Sequence, residues 1–254
     1  MIRNFITALQ FLTVIPVSRE HRFEEGDLAK SMVYFPVVGF LIGLLLVYVD
    51  KIFALVVLPQ SIANLLLVAL SVLITRAIHI DGLADTLDGI MGGSSADSRL
   101  AIMKDSRLGT AGALGIFFVL LIKYLCLNNL FNGEKAAVLL TAPTLARWSQ
   151  TLMVFKANYG RENGMGKAFV GHLRTSGFTA TTFVAVGLAA FVILQEEART
   201  QILVMSTLVG VALLTLLGRK YLVHKLGGVT GDAIGAISEL NEMLVFLLFV
   251  TFAD

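Results

Sequence analysis

Cysteine and charged residues are both scarce in this 254-residue chain. Cys126 is the only cysteine, so no disulfide can form within the chain, and its apolar neighbours predict a buried, unreactive thiol. Charged residues make up 15% of the chain, whereas a soluble globular domain carries roughly a quarter. Hydrophobic residues reach 56%, and the mean hydropathy is +0.81. The composition therefore excludes an ordinary soluble domain and predicts an integral membrane protein, with the lipid bilayer as its surroundings.

The chain also lacks a strong excess of positive charge. The formal net charge is +2, and the basic residues are spread among the loops between apolar runs. Nucleic-acid-binding domains instead concentrate lysine and arginine on one face. We therefore expect no nucleic-acid partner.

Apolar runs long enough to cross a bilayer, which takes about 20 residues, recur along the chain. They cover residues 31–49, 60–78, 108–127, 136–155, 175–195, 201–218 and 232–253. A shorter apolar stretch, residues 4–17, predicts a short helix that lies in the interface or enters the bundle. No soluble domain interrupts this pattern. The predicted fold is all-α, a polytopic transmembrane helix bundle of about seven spans that forms one domain over residues 1–254.

The loops between these runs differ in basic charge. The N-terminal tail and the loops on its side hold 15 lysines and arginines, whereas the opposite loops hold three. Because loops rich in lysine and arginine stay in the cytoplasm, the N-terminus is predicted to be cytoplasmic. The same rule places the polar motifs, and with them the active site, at the cytoplasmic face.

Three aspartates, Asp81, Asp85 and Asp88, form the first of these motifs. Offsets of four and seven residues place them on one face of an α-helix. Gly82 and Gly89 beside them allow the close approach of a backbone or a phosphate. Since like charges repel, a divalent cation is the simplest group that would hold the carboxylates together. The alternative is a solvated helix end at the membrane surface.

A second motif, residues 103–110, leads into the third apolar run. Lys104 and Arg107 supply cationic donors, and the planar fork of arginine suits phosphate. Asp105 adds a fourth carboxylate. An ordinary basic flank of a span is the alternative, but beside the aspartates the loop indicates the anion-binding half of a metal–phosphate site.

A third motif, residues 227–239, is a glycine-rich turn that opens a helix. Amides of this turn, including Thr230 and Gly231, are expected to cradle a pyrophosphate. Asp232 and Glu239 are seven residues apart and share a helix face, so both join the expected metal ligands. The alternative is a flexible loop with surface acids.

Two single residues have more than one interpretation. His79 precedes the aspartates and is a candidate general base, metal ligand or structural residue. Arg147 lies inside an apolar run, where a charge usually faces the bundle interior and either pairs with an acid or binds phosphate. Residues 164–167 resemble a nucleotide-binding loop but fail as one, because Arg161 and Ala168 replace its glycine and its Ser/Thr.

Carboxylates and fixed cations at one membrane face indicate Mg²⁺-assisted chemistry on a phosphate. Asp85-x-x-Asp88-Gly89 matches the opening of the CDP-alcohol phosphotransferase signature, but the match stops at Gly92-Gly93 and Ala101. A different Mg²⁺-dependent membrane phosphotransferase of this type is therefore an alternative. A transporter is less favoured, because the acids cluster at one face and no inverted repeat is visible.

A closer resemblance covers nearly the whole chain. Residues 79–89, 102–110 and 227–232 are similar, in the same order, to motifs of the cobalamin synthase family, the adenosylcobinamide-GDP ribazoletransferases. Residues 11–16 and 35–39 also resemble that family. The resemblance implies a Mg²⁺-dependent enzyme of the bacterial inner membrane. It would join adenosylcobinamide-GDP to α-ribazole or its 5′-phosphate and release GMP, a late step of cobalamin biosynthesis.

The roles that this resemblance suggests follow the motifs. The aspartates Asp81, Asp85 and Asp88 would hold Mg²⁺ with Asp105 assisting as a further ligand, and one of the first three or His79 would accept the proton. The second motif would stabilise negative charge, and the third would complete a second metal or orient the ribose hydroxyl. A homo-oligomer, or association with other cobalamin-assembly enzymes, is compatible with this assignment.

Overall fold

The computed structural model describes residues 2–16, 26–130, 132–195 and 198–252, and these residues are mostly helical. Residues 17 and 253, where the first and last predicted helices end, lie outside the described part. Within it, the only β-type pairing is an isolated bridge between Tyr159 and Val229. The α-helices are α1 (Ile2–Leu12), α2 (Asp27–Ser31), α3 (Phe35–Leu55), α4 (Gln60–Ile74), α5 (Ile78–Gly92), α6 (Ala96–Ile102), α7 (Thr110–Asn128), α8 (Asn132–Val154), α9 (Thr175–Ile193), α10 (Ala198–Leu226) and α11 (Gly231–Thr251).

Several of these helices are long and apolar enough to cross a membrane. Five described stretches qualify, and α4 with α5 makes a sixth if this bent pair is one span. The five are Asp27–Leu55, Thr110–Asn128, Thr175–Ile193, Thr200–Leu226 and Gly231–Thr251. The predicted all-α membrane bundle is confirmed, whereas the count of about seven spans stays a prediction.

Helices α8 and α11 form the centre of the bundle. Helix α8 packs against α3, α9, α10 and α11, and α11 packs also against α5, α7 and α10. Almost every residue of α8 from Thr141 to Thr151 is buried by protein. This surrounding explains why α8 carries more polar residues than the outer helices, since its side chains meet other helices instead of lipid.

Small residues bring α3 and α8 into close contact. Gly39 and Gly43 lie four residues apart on α3, and their α-carbons face the backbone of α8 at Pro143 and Leu139. A side chain at either glycine would overlap that backbone. Helices inside a membrane gain little from the hydrophobic effect, so such close backbone packing is a main source of their association.

A sharp bend separates α4 from α5, at the place where the second apolar run was expected to continue to residue 78. Helix α4 ends at Ile74, and the axes of the two helices differ by 85°. Arg76 and Ala77 both adopt left-handed backbone conformations, with φ of 54° and 57°. The Val14 N–H donates to the freed carbonyl of Ile74 at 2.8 Å, so the segment after α1 satisfies the broken helix end. The aspartate helix therefore turns away from the direction of α4.

Candidate active site

The predicted aspartate helix exists, and it crosses the first turn of α11. Asp81 is exposed on α5, and Asp85 and Asp88 are half-buried. A methyl group on Gly82 would lie 2.8 Å from the carbonyl oxygen of Asp232, so the two backbones touch at this point. Because Gly82 has no side chain, α5 can approach α11 closely enough for its aspartates to lie beside Asp232.

The carboxylates of these two helices influence one another electrostatically. Asp85 is repelled by Asp232, Asp81 and Asp88, and it is attracted by Arg161. Like charges in one place raise the free energy of the fold unless a cation compensates them. The structure thus brings together Asp81, Asp85 and Asp232, which come from two different sequence motifs.

Arg161 is the cation of this cluster, and the sequence interpretation missed it. Its Nη2 lies 2.7 Å from Asp232 Oδ2. The backbone around Tyr159 holds it there, because Gly160 N–H donates to Val229 O and Val229 N–H donates to Asn158 O, both at 2.9 Å. The sequence does carry a signal, since Arg161 stands in a loop with several glycines, but nothing local shows that this loop meets the turn before α11.

A cavity of about 190 Å³ opens beside the cluster. Its polar lining includes His79, Asp81, Gln150, Tyr159, Arg161 and Asp232. Burial raises the pKa of the Tyr159 hydroxyl, so this group stays protonated and available as a donor near neutral pH. The cavity also contains Gly231, one of the two turn residues expected to bind substrate.

Thr230, the other of these turn residues, is fully buried and has a structural partner. Its hydroxyl accepts a hydrogen bond from the Ala233 N–H at 3.1 Å, which caps α11. A threonine cap satisfies one of the free amides of a helix start. Thr230 therefore shapes the glycine-rich turn from behind the cavity.

Asp88 and the second motif lie beside the cavity, and none of these residues lines it. Asp88 accepts hydrogen bonds from the Gly109 and Gly112 amides, each at 2.8 Å, and so caps the start of α7. Lys104 and Arg107 are exposed to solvent. Hydrogen bonds from Arg107 lower the pKa of Asp105 to about 2. The structure thus anchors this loop to the aspartate helix and leaves its cations at the surface.

Glu239 and Arg147 belong to a separate cluster deep in the bundle. Lys123 Nζ lies 2.6 Å from Glu239 and 3.1 Å from Glu242, and Arg147 Nη1 lies 2.7 Å from Glu242. All four side chains are buried. Of the two interpretations of Arg147, the structure shows pairing with an acid. Glu239, expected as a metal ligand, is occupied by Lys123, and the structure does not bring it to the cavity lining.

The donor set at the cavity suits Mg²⁺, which prefers carboxylate oxygens. Across the described ranges, no three His, Cys, Asp or Glu side chains converge closely enough to hold a metal by themselves. Mg²⁺ is usually bound through one or two carboxylates together with waters and substrate phosphates. Asp81, Asp85 and Asp232 fit that kind of site, in which the substrate completes the coordination.

His79 lies at the inner end of the cavity. It is 3% exposed, and its Nε2 lies 2.8 Å from Gln150 Nε2, which also donates to Ser238 Oγ at 2.9 Å. Gly235 makes room for it, since a methyl group there would lie 3.2 Å from the His79 backbone. The position of His79 before the aspartates marks it in the sequence, but no local pattern indicates its partner Gln150 on α8.

Comparison with known proteins places the chain in a family. The profile of the family described as cobalamin-5-phosphate synthase matches residues 4–250. Three similar proteins are each named adenosylcobinamide-GDP ribazoletransferase. The protein of Geotalea daltonii is 39% identical over 250 residues, 98% of both chains. That of Clostridioides difficile is 37% identical over 252 residues, 98% of this chain and 96% of its own. That of Fusobacterium nucleatum is 34% identical over 272 residues, 98% of this chain and 97% of its own. No solved structure matches the chain. With a family match over nearly its full length and relatives well above 30% identity, the chain belongs to the cobalamin-5-phosphate synthase family.

Proposed function

We propose that this membrane enzyme is an adenosylcobinamide-GDP ribazoletransferase. The ribose 3′-hydroxyl oxygen of α-ribazole, or of its 5′-phosphate, attacks the phosphorus that carries the cobinamide arm. A new phosphodiester bond forms, the bond to the GMP phosphate breaks, and the hydroxyl proton leaves. The single observation that supports this most directly is a cavity lined by Asp81, Asp232 and Arg161, with Asp85 close enough to interact with all three. The relatives' printed names supply the substrates.

Each residue of the cluster has a role in this proposal. Asp81, Asp85 and Asp232 would hold Mg²⁺, which when bound would supply positive charge to offset the negative charge of the leaving phosphate. Arg161 donates hydrogen bonds to phosphate oxygens, a task that suits its planar fork. Asp81, which lines the cavity, accepts the proton of the attacking hydroxyl. Asp88 keeps α5 fixed against α7 through its two amide contacts.

The exposed cations of the second motif act at longer range. Lys104 and Arg107 lie on the surface next to the aspartate helix. Fixed positive charges at a rim attract an anionic substrate and raise its rate of encounter. Asp105 belongs to this rim through its pairing with Arg107, and it is not needed as a metal ligand.

We also propose that the site faces the cytoplasm and that the N-terminus lies on the same side of the inner membrane. The excess of basic residues in the loops on that side supports this orientation. Both substrates are polar, and a cytoplasmic site would meet them without transport across the membrane.

Purified protein in detergent tests the proposed function. We expect adenosylcobinamide-GDP and α-ribazole to give cobalamin and GMP in equal amounts with Mg²⁺, and neither product after addition of EDTA. The assay is repeated with α-ribazole 5′-phosphate. Absence of both products from a well-folded sample would contradict the proposal, and transfer to a lipid alcohol would support the CDP-alcohol type of enzyme instead.

A further inference from the structure

One side of the cavity is apolar and lined by aromatic rings. The roles proposed above for the polar residues do not involve this side. Phe11, Phe35 and Phe169 line this side, here called the aromatic pocket. The ring centroids of Phe11 and Phe169 are 4.9 Å apart, and those of Phe35 and Phe169 are 5.9 Å apart. Phe35 and Phe169 are almost completely buried. The parts of these rings that line the cavity give it an apolar surface against which a flat ring can pack.

His79, which lines the pocket, has one polar atom without a hydrogen-bond partner among the described residues. The Gln150 amide donates to Ser238 Oγ and faces His79 Nε2, so Nε2 accepts and the proton of the imidazole sits on Nδ1. His79 Nδ1 is buried and has no hydrogen-bond partner within the described part of the chain. Buried polar atoms in native proteins are nearly always paired. An acceptor on a bound ligand would satisfy this donor.

The size of the cavity limits the occupant. A cavity of about 150 Å³ in another protein accommodates benzene. The present one is about 190 Å³, which suits one bicyclic aromatic base. A corrin macrocycle contains four five-membered rings and cannot enter it. The cobinamide half of the reaction must therefore lie outside the cavity.

The polarity of the pocket distinguishes between the two bases present in the proposed reaction. Guanine carries several donors and acceptors around its edge, and each would need a partner once buried. The benzimidazole of ribazole is mostly apolar and, once bonded to ribose, keeps a single ring nitrogen as an acceptor. The three phenylalanine rings and the unpartnered His79 Nδ1 match benzimidazole, and the polar lining of Asp81, Tyr159, Arg161 and Asp232 is left for the ribose and phosphate groups.

We propose that the aromatic pocket binds the benzimidazole base of the ribazole substrate, packed against Phe11 and Phe169 and accepting a hydrogen bond from His79. This assignment rests on the proposed function and specifies which substrate occupies the cavity. Asp81, Arg161 and Asp232 line the same cavity, so a base held inside leaves its ribose among them. Gln150 is then a positioning residue, because it fixes the orientation of His79.

Titration calorimetry of the purified protein with α-ribazole alone, and separately with GDP and Mg²⁺, tests the assignment without any reaction. Phe169→Leu keeps an apolar side chain and removes the aromatic face. We expect it to weaken α-ribazole binding by about tenfold, the scale of one stacked base, and to leave GDP binding unchanged. Phe11→Leu, at a less buried position, repeats the test if Phe169→Leu does not fold. Phe178→Leu, which alters a ring outside the cavity that stacks on Phe155, is the matched control.

The outcomes distinguish failure of the pocket assignment from failure of the proposed reaction. If wild-type protein fails to bind α-ribazole, or binds it as well after Phe169→Leu and Phe11→Leu, the assignment is wrong even when transfer to ribazole is observed. Selective loss of GDP binding would overturn it in favour of guanine. Tenfold weaker ribazole binding in a protein that makes no cobalamin would support the pocket and count against the proposed function alone.

Discussion

The Lys123 ammonium on α7 lies 2.6 Å from the Glu239 carboxylate on α11, and both side chains are buried between apolar helices. With Glu242 and Arg147 they form a quartet of two cations and two anions that links three helices. Charges are costly inside a membrane bundle, and they persist there only when they are paired. The quartet therefore fixes α11, whose first turn carries Asp232, against α7 and α8.

Removing one member of the quartet should destabilise the bundle. We expect Lys123→Met to lower the free energy of unfolding by about 3–5 kcal/mol, because it leaves Glu239 buried without a partner. The double variant Lys123→Met/Glu239→Met removes one charge of each sign and should recover most of the loss. Denaturant unfolding in detergent measures both. The Glu239→Met single variant completes the cycle, and a loss in the double variant equal to the sum of the two single losses would show that the pair contributes no coupling energy.

The aspartate helix should be sensitive to loss of a single charge. Asp85→Asn is expected to reduce turnover by more than about a hundredfold, because one carboxylate of the proposed Mg²⁺ site is lost. Its folding in the membrane should be unchanged. Asp97→Asn, which makes the same chemical change at an exposed position on α6, is the control and should keep wild-type activity. Near-normal turnover of the Asp85→Asn enzyme would falsify the metal assignment.

Contact between α5 and α11 depends on Gly82. The added methyl group of Gly82→Ala would meet the Asp232 backbone, which cannot move as a side chain can. We expect a loss of about 1–3 kcal/mol in stability, typical of overpacking, together with reduced activity as the carboxylates separate. Gly187→Ala on α9 is the matched control, since its methyl group would meet no atom within 4 Å. Thermal unfolding and turnover of the two variants, compared side by side, check the prediction.

Arg161 should act on substrate binding through its shape as well as its charge. Arg161→Lys keeps the charge but loses the fork, so we expect KM for adenosylcobinamide-GDP to rise by about tenfold. Arg174→Lys, at an exposed residue before α9, should leave KM unchanged. Steady-state kinetics with saturating ribazole measure both. A KM that does not respond to Arg161→Lys would remove the residue from the phosphate contacts.

The proposed orientation can be tested with single cysteines. Cys126 is 4% exposed and provides a silent background. His172→Cys and Val56→Cys both place a thiol at an exposed position, in loops on opposite sides of the bundle. In intact spheroplasts, a membrane-impermeant maleimide should label residue 56 and spare residue 172 until the cells are lysed. The reverse pattern would place the active site outside the cytoplasm.

Local sequence patterns predicted the elements of the site well. The spacing of Asp81, Asp85 and Asp88 predicted their shared helix, and the glycine-rich turn predicted a helix start that the structure places at Gly231. These features depend on neighbours within one or two turns. A one-dimensional pattern is sufficient for them.

Contacts between segments that are far apart in the chain could not be predicted from these local patterns. No glycine or proline marks the bend between α4 and α5 in the sequence. Arg76 and Ala77 adopt the left-handed conformation there, which residues of these types rarely do without tertiary constraints. Arg161 meets Asp232 through a bridge between segments about 70 residues apart in the chain. Residue spacing also could not show that Glu239 forms an ion pair with Lys123 instead of binding a metal, since this depends on how α7 packs against α11.

The buried quartet has a consequence for a membrane protein that is exposed to a transmembrane voltage. Moving one elementary charge across a membrane changes its electrostatic free energy by about 2.3 kcal/mol per 100 mV. The formal charges of Lys123, Arg147, Glu239 and Glu242 cancel, so a shift of the quartet as one unit moves no net charge. Pairing within the quartet thus limits the work that a transmembrane voltage can do on the packing of the bundle centre.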